Sequence, residues 1–265
     1  MKFEVNCGCL NLKQTLFCGQ CFRFKEIGDN IFEGIALNKY VRLRQLEKGI
    51  EIEAAEEDLP FWKGYFDLDL DYDMLMERFC LDATLKKACE GRKIRVLKQE
   101  PFETLISFII SQNNNIKRIT GIIDRLCECF GEKIEGGYAF PTPKAMEKLA
   151  AEDLAPLRAG FRAKYIVDAV QKVAGGEVDF EKIQKMSDNE AREALKTIKG
   201  VGDKVADCVL LFGLHRLAAV PKDVWIKRIN AHYYPHGYPD CMGEYAGIAQ
   251  QYLFDFARND ADFPK

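Results

Sequence analysis

Hydrophobic and polar positions divide the chain into two unlike parts. Residues 1 to about 53 lack helical periodicity. Phe22-Arg23-Phe24, Ile31 to Ala36, Tyr40-Val41-Arg42-Leu43-Arg44 and Ile50-Glu51-Ile52 alternate or run as β-formers, with turn signals at Gly28-Asp29-Asn30 and Lys48-Gly49, which predicts an antiparallel sheet. From Asp71 onward the apolar spacing is helical, and helices are predicted over 71–79, 82–90, 101–112, 115–130, 143–150, 163–174, 187–198, 204–214, 223–233 and 243–258. The breaks fall at Gly91, Pro141-Thr142-Pro143, Gly175-Gly176 and Pro235 to Pro239. The fold class is therefore α+β, with a sheet lobe over 1–80 and a mostly helical body over 81–265.

Within the body, Ala191, Ala194, Leu195 and Ile198 share one helix face, Lys199-Gly200-Val201-Gly202-Asp203 stops the pattern, and Val205 to Leu214 resumes it. This is a helix-hairpin-helix over 187–214. Gly200 and Gly202 remove side chains where the chain turns, so the N–H groups opening the second helix are free to approach an anion such as a DNA phosphate. Lys204 occupies the first turn of that second helix, where the dipole disfavours a cation and a merely structural lysine would be misplaced. Asp223 follows Val-Pro-Lys and precedes the periodic Val224, Ile226 and Ile229, as an N-cap does. A cap also holds a carboxylate ionised, ready to face a developing positive charge. Cys208 lies four residues after Lys204, and Phe254 four after Gln250, so each pair shares a helix face. Taken singly, Cys208 and Phe254 read as core residues.

The 265 residues carry a net charge of −3, which looks wrong for a nucleic-acid binder until its distribution is considered. Residues 51–82 hold eleven Asp/Glu against Lys63 and Arg78, a net −9 that leaves +6 for the remainder, and residues 85–118 alone are net +5. The acidic stretch reads as a solvated face turned away from DNA and the basic stretch as lying nearer phosphates. Met1-Lys2-Phe3-Glu4 begins no signal peptide and no apolar run suits a membrane, so an intracellular protein is expected, in prokaryotic cytoplasm or a eukaryotic nucleus. The ten cysteines are scattered. Cys7-x-Cys9 with Cys18-x2-Cys21 would make a four-thiolate zinc set, but Cys18 and Cys21 flank a segment that reads as strand, and no metal or other cofactor is expected.

GVGDKVADC at 200–208 followed by VPKDV at 220–224 resembles the helix-hairpin-helix of DNA glycosylases, specifically the 8-oxoguanine DNA glycosylase/lyase family. GQCFRF at 19–24, YFDLD at 65–69, LISFIISQNNNIKRITG at 105–121, GFRAKYI at 160–166 and YAGIAQQYLF at 245–254 also resemble family segments, in the family's order. The resemblance implies a TATA-box-binding-protein-like N-terminal lobe and a monomer whose partner is double-stranded DNA containing 8-oxoguanine. It further implies no iron–sulphur cluster, for which relatives such as endonuclease III need four clustered cysteines after the hairpin, where here Cys241 alone follows Cys208. By resemblance Lys204 is the nucleophile at C1′ and Asp223 stabilises the cationic sugar. Cys208 and Phe254 sandwich the flipped base, Gln250 bonds its pairing edge, and the Gly19 carbonyl accepts from N7–H. Asn113 fills the gap left by the extruded base, Phe161 wedges the duplex, Arg118 and Arg162 read the orphaned base, and Gly200 and Gly202 meet the DNA backbone. Plainer roles exist for several: a turn for Gly19, a core position for Phe161, a surface charge or phosphate contact for either arginine. Two residues depart from the family pattern: Trp225 stands where eukaryotic members commonly have histidine, and Phe161 where they commonly have tyrosine. The other readings are a glycosylase for a different base, against which Gly19, Gln250 and Phe254 argue, and a catalytically silent DNA-binding module, which has no use for Lys204 with Asp223.

Overall fold

A computed structural model describes residues 1–259 and Phe263. The N-terminal part runs β1 (Lys2–Asn6), α1 (Leu12–Phe17), β2 (Phe24–Gly28), β3 (Ile31–Ala36), β4 (Lys39–Leu46), β5 (Gly49–Glu53) and α2 (Leu59–Tyr65). Its five strands form one antiparallel sheet in the order β1-β5-β4-β3-β2. Alternation along β4 and β5 turns Val41, Leu43, Ile50 and Ile52 inward onto Leu12 and Leu16 of α1 and Trp62 and Phe66, the latter just past α2. Each such aliphatic side chain contributes roughly 1.5–3 kcal/mol on burial.

The body comprises α3 (Tyr72–Phe79), α4 (Ala83–Cys89), α5 (Pro101–Ser111), α6 (Ile116–Phe130), the short hairpin β6 (Lys133–Ile134) and β7 (Gly137–Tyr138), α7 (Pro143–Met146), α8 (Arg162–Ala174), α9 (Phe180–Ile183), α10 (Asp188–Lys196), α11 (Asp203–Cys208), α12 (Val224–Tyr233) and α13 (Ala246–Asn259). Phe102 through Ile110 of α5 are all buried, so α5 is an axle against which α6, α8 and α11 pack. No helix among the described residues is long and apolar enough to cross a membrane.

Four sequence expectations need correction. The first 53 residues do contain a helix, α1, whose six residues give fewer than two turns of periodicity; Asn11 caps it by accepting from Gln14 N–H. Helical structure resumes at α2, before Asp71. The strand expected from Phe22 begins at Phe24, because Cys18 to Arg23 are irregular. The helix expected over 204–214 changes at Val209 to a π-helical turn, Val209–Gly213, closed by Leu214 N–H donating to the Val209 carbonyl at 2.9 Å.

Sheet and body meet across a buried ion pair, Arg23 Nη1 to Glu103 Oε2 at 3.5 Å, with Arg23 also donating to the Tyr138 carbonyl. Burial pushes the Glu103 carboxyl up to about 7, against the opposing pull of Arg23, with Glu100 adding to the rise. A carboxyl whose folded-state pKa is raised binds more protons folded than unfolded, so ionising it destabilises the fold as pH rises from about 4.5 to about 7. Thermal melts of wild type and Glu103→Gln should therefore diverge in the variant's favour across that window. A difference independent of pH would contradict the assignment.

Candidate active site

The hairpin is built by local chemistry. Ser187 and Glu190 form a reciprocal capping box that starts α10, and Arg192 Nε of α10 reaches Asp207 Oδ1 of α11 at 2.9 Å, fixing the two helices together. Gly200 sits at φ +79, and a Cβ there would lie 2.3 Å from the Tyr165 ring, so both backbone and space demand glycine. Gly202 is the N-cap of α11, with nothing within 4 Å of where a Cβ would project. The turn thus presents the start of α11, and Lys204 with it, at one mouth of a cavity.

That cavity, about 620 Å³, is lined from several directions, one of them the start of α6 with the loop before it, through Asn114 to Lys117 and Ile119. Gly19 and Phe22 come from the loop before β2, Phe108 and Ser111 from α5, Lys204 and Cys208 from α11, Asp223 from the cap of α12, and Gln250 and Phe254 from α13. Six sequence-predicted residues, Lys204, Asp223, Gly19, Cys208, Gln250 and Phe254, thus meet in one space, large enough to admit a nucleobase with room to spare.

Lys204 Nζ lies 3.5 Å from Ser111 Oγ and 4.8 Å from the centre of the Phe108 ring. The Ser111 hydroxyl donates to the Phe108 carbonyl at 2.8 Å, leaving oxygen lone pairs toward the amine. Asp223 Oδ1 accepts from Ile226 N–H at 2.8 Å as the cap of α12. Lys204 and Asp223 line the same cavity. The Cys208 thiol is pushed up to about 11 by burial, opposed by the nearby Lys204 charge, and so remains a neutral, polarisable wall. Gln250 is 4% exposed, and its Oε1 has no hydrogen-bond partner. Gly19 stands at φ +93 with nothing within 4 Å of a projected Cβ; its backbone already requires glycine before any crowding of a ligand is considered.

The remaining predicted residues do not line the cavity. Asn113, at φ +47, and Arg118 are exposed, and Phe161 is 53% exposed with its ring against Tyr165. Arg162, by contrast, is 2% exposed and donates to backbone carbonyls. Asn114 and Asn115, which do line the cavity, also break and cap helices: Asn114 Nδ2 donates to the Ile110 carbonyl at 3.0 Å, and Asn115 Oδ1 accepts from Arg118 N–H at 3.0 Å. Sequence reasoning missed Phe108 and Ser111, whose place beside Lys204 depends on how α5 packs on α11 and leaves no trace in spacing. It also missed Arg258, which lines the cavity and stands 5.3 Å over the Phe254 ring. Trp225, half-buried, lines the same space.

Comparison with known proteins agrees with this geometry. Residues 2–105 match the family model for the 8-oxoguanine DNA glycosylase N-terminal domain, and residues 106–239 match that for the HhH-GPD superfamily of base excision DNA repair proteins. A Saccharomyces cerevisiae N-glycosylase/DNA lyase is 40% identical over 62% of the chain, an aligned stretch that spans 48% of the yeast protein's own length. The Arabidopsis thaliana N-glycosylase/DNA lyase OGG1 is 36% identical, with 92% of this chain and 76% of that protein covered. The Clostridium acetobutylicum 8-oxoguanine glycosylase/lyase, solved in complex with double-stranded DNA containing cytosine opposite 8-oxoguanine, superposes with a TM-score of 0.88 at 36% identity, covering 97% of each chain. With both halves matched in order by the two models and the whole fold matched by solved relatives, the chain belongs to the 8-oxoguanine DNA glycosylase/lyase family within the HhH-GPD superfamily.

Proposed function

We propose that this chain excises 8-oxoguanine from duplex DNA, preferentially opposite cytosine, by attack of Lys204 at C1′, and then cuts the strand weakly at the resulting abasic site. The observation that carries the reading is Gln250: a buried carbonyl oxygen without a partner among the described residues, in the wall of the cavity that also holds Lys204 and Asp223. An unpaired buried acceptor costs about 1–3 kcal/mol, and N1–H and the 2-amino group of a guanine-type base are donors that would satisfy it. A flipped base then lies between the neutral Cys208 thiol and the Phe254 ring.

The chemistry follows from a nucleophilic amine. As the glycosidic bond breaks, the sugar gains oxocarbenium character, and Lys204 nitrogen bonds to C1′ while the bond electrons leave with the base. That nitrogen then carries two protons; the departing base anion can take one, leaving an aminal whose C1′–O4′ bond breaks as O4′ is protonated, and the resulting Schiff base acidifies the C2′ hydrogen and permits β-elimination of the 3′ phosphate. Water as nucleophile would give no such second step. Ser111 and Phe108 hold the amine near one wall, and Asp223, whose second oxygen is free of capping duty, faces the developing positive charge. Guanine differs from the lesion in carrying a lone pair at N7 where the lesion carries N7–H. The Gly19 carbonyl is suited to accept from that hydrogen and to repel the lone pair.

Opposite-base preference is argued from donors. Cytosine left without its partner displays two adjacent acceptors, O2 and N3, beside its 4-amino donor, whereas adenine offers the single acceptor N1 beside its 6-amino donor, so guanidinium donors find two partners on cytosine and one on adenine. Arg118 is exposed in the first turn of α6, and its guanidinium N–H groups have no hydrogen-bond partner among the described residues.

Duplex containing one 8-oxoguanine opposite cytosine should yield free 8-oxoguanine and a smaller amount of cut strand. Lys204→Gln should abolish both products while binding the duplex, and Asp223→Asn should bind yet excise at least a hundredfold more slowly, since the amide keeps the cap and loses the charge. Full excision by Lys204→Gln would overturn the assignment. Replacing N7–H of the lesion by a group that cannot donate should weaken binding by about 1–3 kcal/mol; equal binding of both lesions would sink the Gly19 role.

A further inference from the structure

We propose that Gln20 and Gln99 are positioning residues that hold the Gly19 carbonyl at a fixed place in the cavity wall, and so set how well the site tells 8-oxoguanine from guanine. The inference rests on the role proposed above for Gly19; the scaffold around that residue stands on geometry. Cys18 to Arg23 run without regular structure, and Gly19, at φ +93, has to be glycine, the residue with the loosest backbone. Its carbonyl has no hydrogen-bond partner among the described residues. An acceptor left open in this way can meet a donor on a ligand. On so mobile a residue it keeps one direction only if its neighbours are held.

Gln20 is 1% exposed, and its side-chain amide is used at both ends. Nε2 donates to the Thr15 carbonyl at 2.9 Å and to the Arg95 carbonyl at 2.8 Å, while Oε1 accepts from Leu97 N–H at 2.9 Å. Two carbonyls and one N–H fix the orientation of that amide, because a flipped one would set acceptor against acceptor and donor against donor. The main chain is held separately: the buried Gln99 donates from Nε2 to the Gln20 carbonyl at 2.8 Å, and its own N–H donates to the Phe212 carbonyl at 2.8 Å. Phe212 stacks on Phe108 with ring centres 5.4 Å apart, and both rings line the cavity. Gln99 therefore ties the Gly19 loop to the aromatic wall beside Lys204, and it sets the spacing between the two. A hydrogen bond weakens steeply as its angle closes, so a carbonyl that drifts loses its attraction for N7–H and its repulsion of a lone pair together. Glutamines that were only structural would stabilise the fold and leave lesion choice alone.

The test is a cycle between protein and lesion, read as duplex affinity of the full-length chain carrying Lys204→Gln so that no turnover intervenes. One duplex holds 8-oxoguanine opposite cytosine; the other holds 8-bromoguanine there, which fills the space of the 8-oxo oxygen but keeps the lone pair of guanine at N7. With the native loop, 8-oxoguanine should be preferred by about tenfold or more, as expected when a buried acceptor meets a lone pair instead of a donor. Adding Gln99→Met, which keeps the volume and removes the donor, should cut that preference at least threefold, with affinity for undamaged duplex within twofold of the native loop. Gln20→Ala, which leaves the Thr15 and Arg95 carbonyls and Leu97 N–H without their side-chain partner, should bring the preference to within twofold of none; Gln99→Met decides alone if that variant does not fold. A preference that falls by less than threefold in folded Gln99→Met would overturn the proposal while leaving the Gly19 reading intact. Equal binding of the two lesions by the native loop would overturn the Gly19 reading, and the positioning role with it.

Discussion

The packing of α5 against α11 is the constraint on which the site depends. Burying an eleven-residue helix along nearly its whole length fixes its rotation and its axial position, because the close-packed interior around it leaves no alternative seat. Phe108 and Ser111, one helical turn apart near its end, are therefore delivered to one place, beside Lys204. The hairpin supplies the other half: Gly200 pressed against Tyr165 and the Arg192–Asp207 bridge between α10 and α11 hold the lysine-bearing turn at that spot. An αα-hairpin alone would present a lysine to solvent. Packed on α5, it presents one to a cavity.

The same axle ends in the loop that carries Asn113. Gln112 terminates α5, Asn115 starts α6, and the two residues between them cross from one helix to the next over the Arg162 guanidinium. On the proposed reading, base capture and gap filling are thus organised from the two sides of one helix end. The π-helical turn after Cys208, closed by the Leu214–Val209 hydrogen bond, continues α11 along the same cavity, where its Phe212 joins the lining, and Asp223 returns to that cavity at the cap of α12.

Much of this was legible in the chain. Hairpin glycines, a lysine in a first helical turn, a cap aspartate and two residue pairs spaced by four are local patterns, and local patterns survive without coordinates. What escaped notice depends on tertiary packing. Ser111 is one hydroxyl at a helix end. Arg162, on sequence alone, is a surface charge or a base reader, and its burial against three carbonyls from residues 112, 113 and 159 is visible only in the fold. The helix α1 escaped because six residues hold too little periodicity, although Leu12, Thr15 and Leu16 at spacing three and four behind an asparagine cap were a usable signal. The π turn has no residue signature at all, since Val-Leu-Leu-Phe-Gly reads equally as ordinary buried helix.

The central claim is that the cavity brings Lys204 nitrogen to the sugar carbon of a nucleotide whose base occupies it. Borohydride reduction during turnover of 8-oxoguanine duplex would freeze the Schiff base as a stable secondary amine, and nuclease and protease digestion followed by mass spectrometry would locate the residual deoxyribose. The account predicts a single modified peptide, with the adduct on Lys204. A sugar remnant on another lysine, on the N-terminal amine, or on no residue while free 8-oxoguanine is released would contradict it.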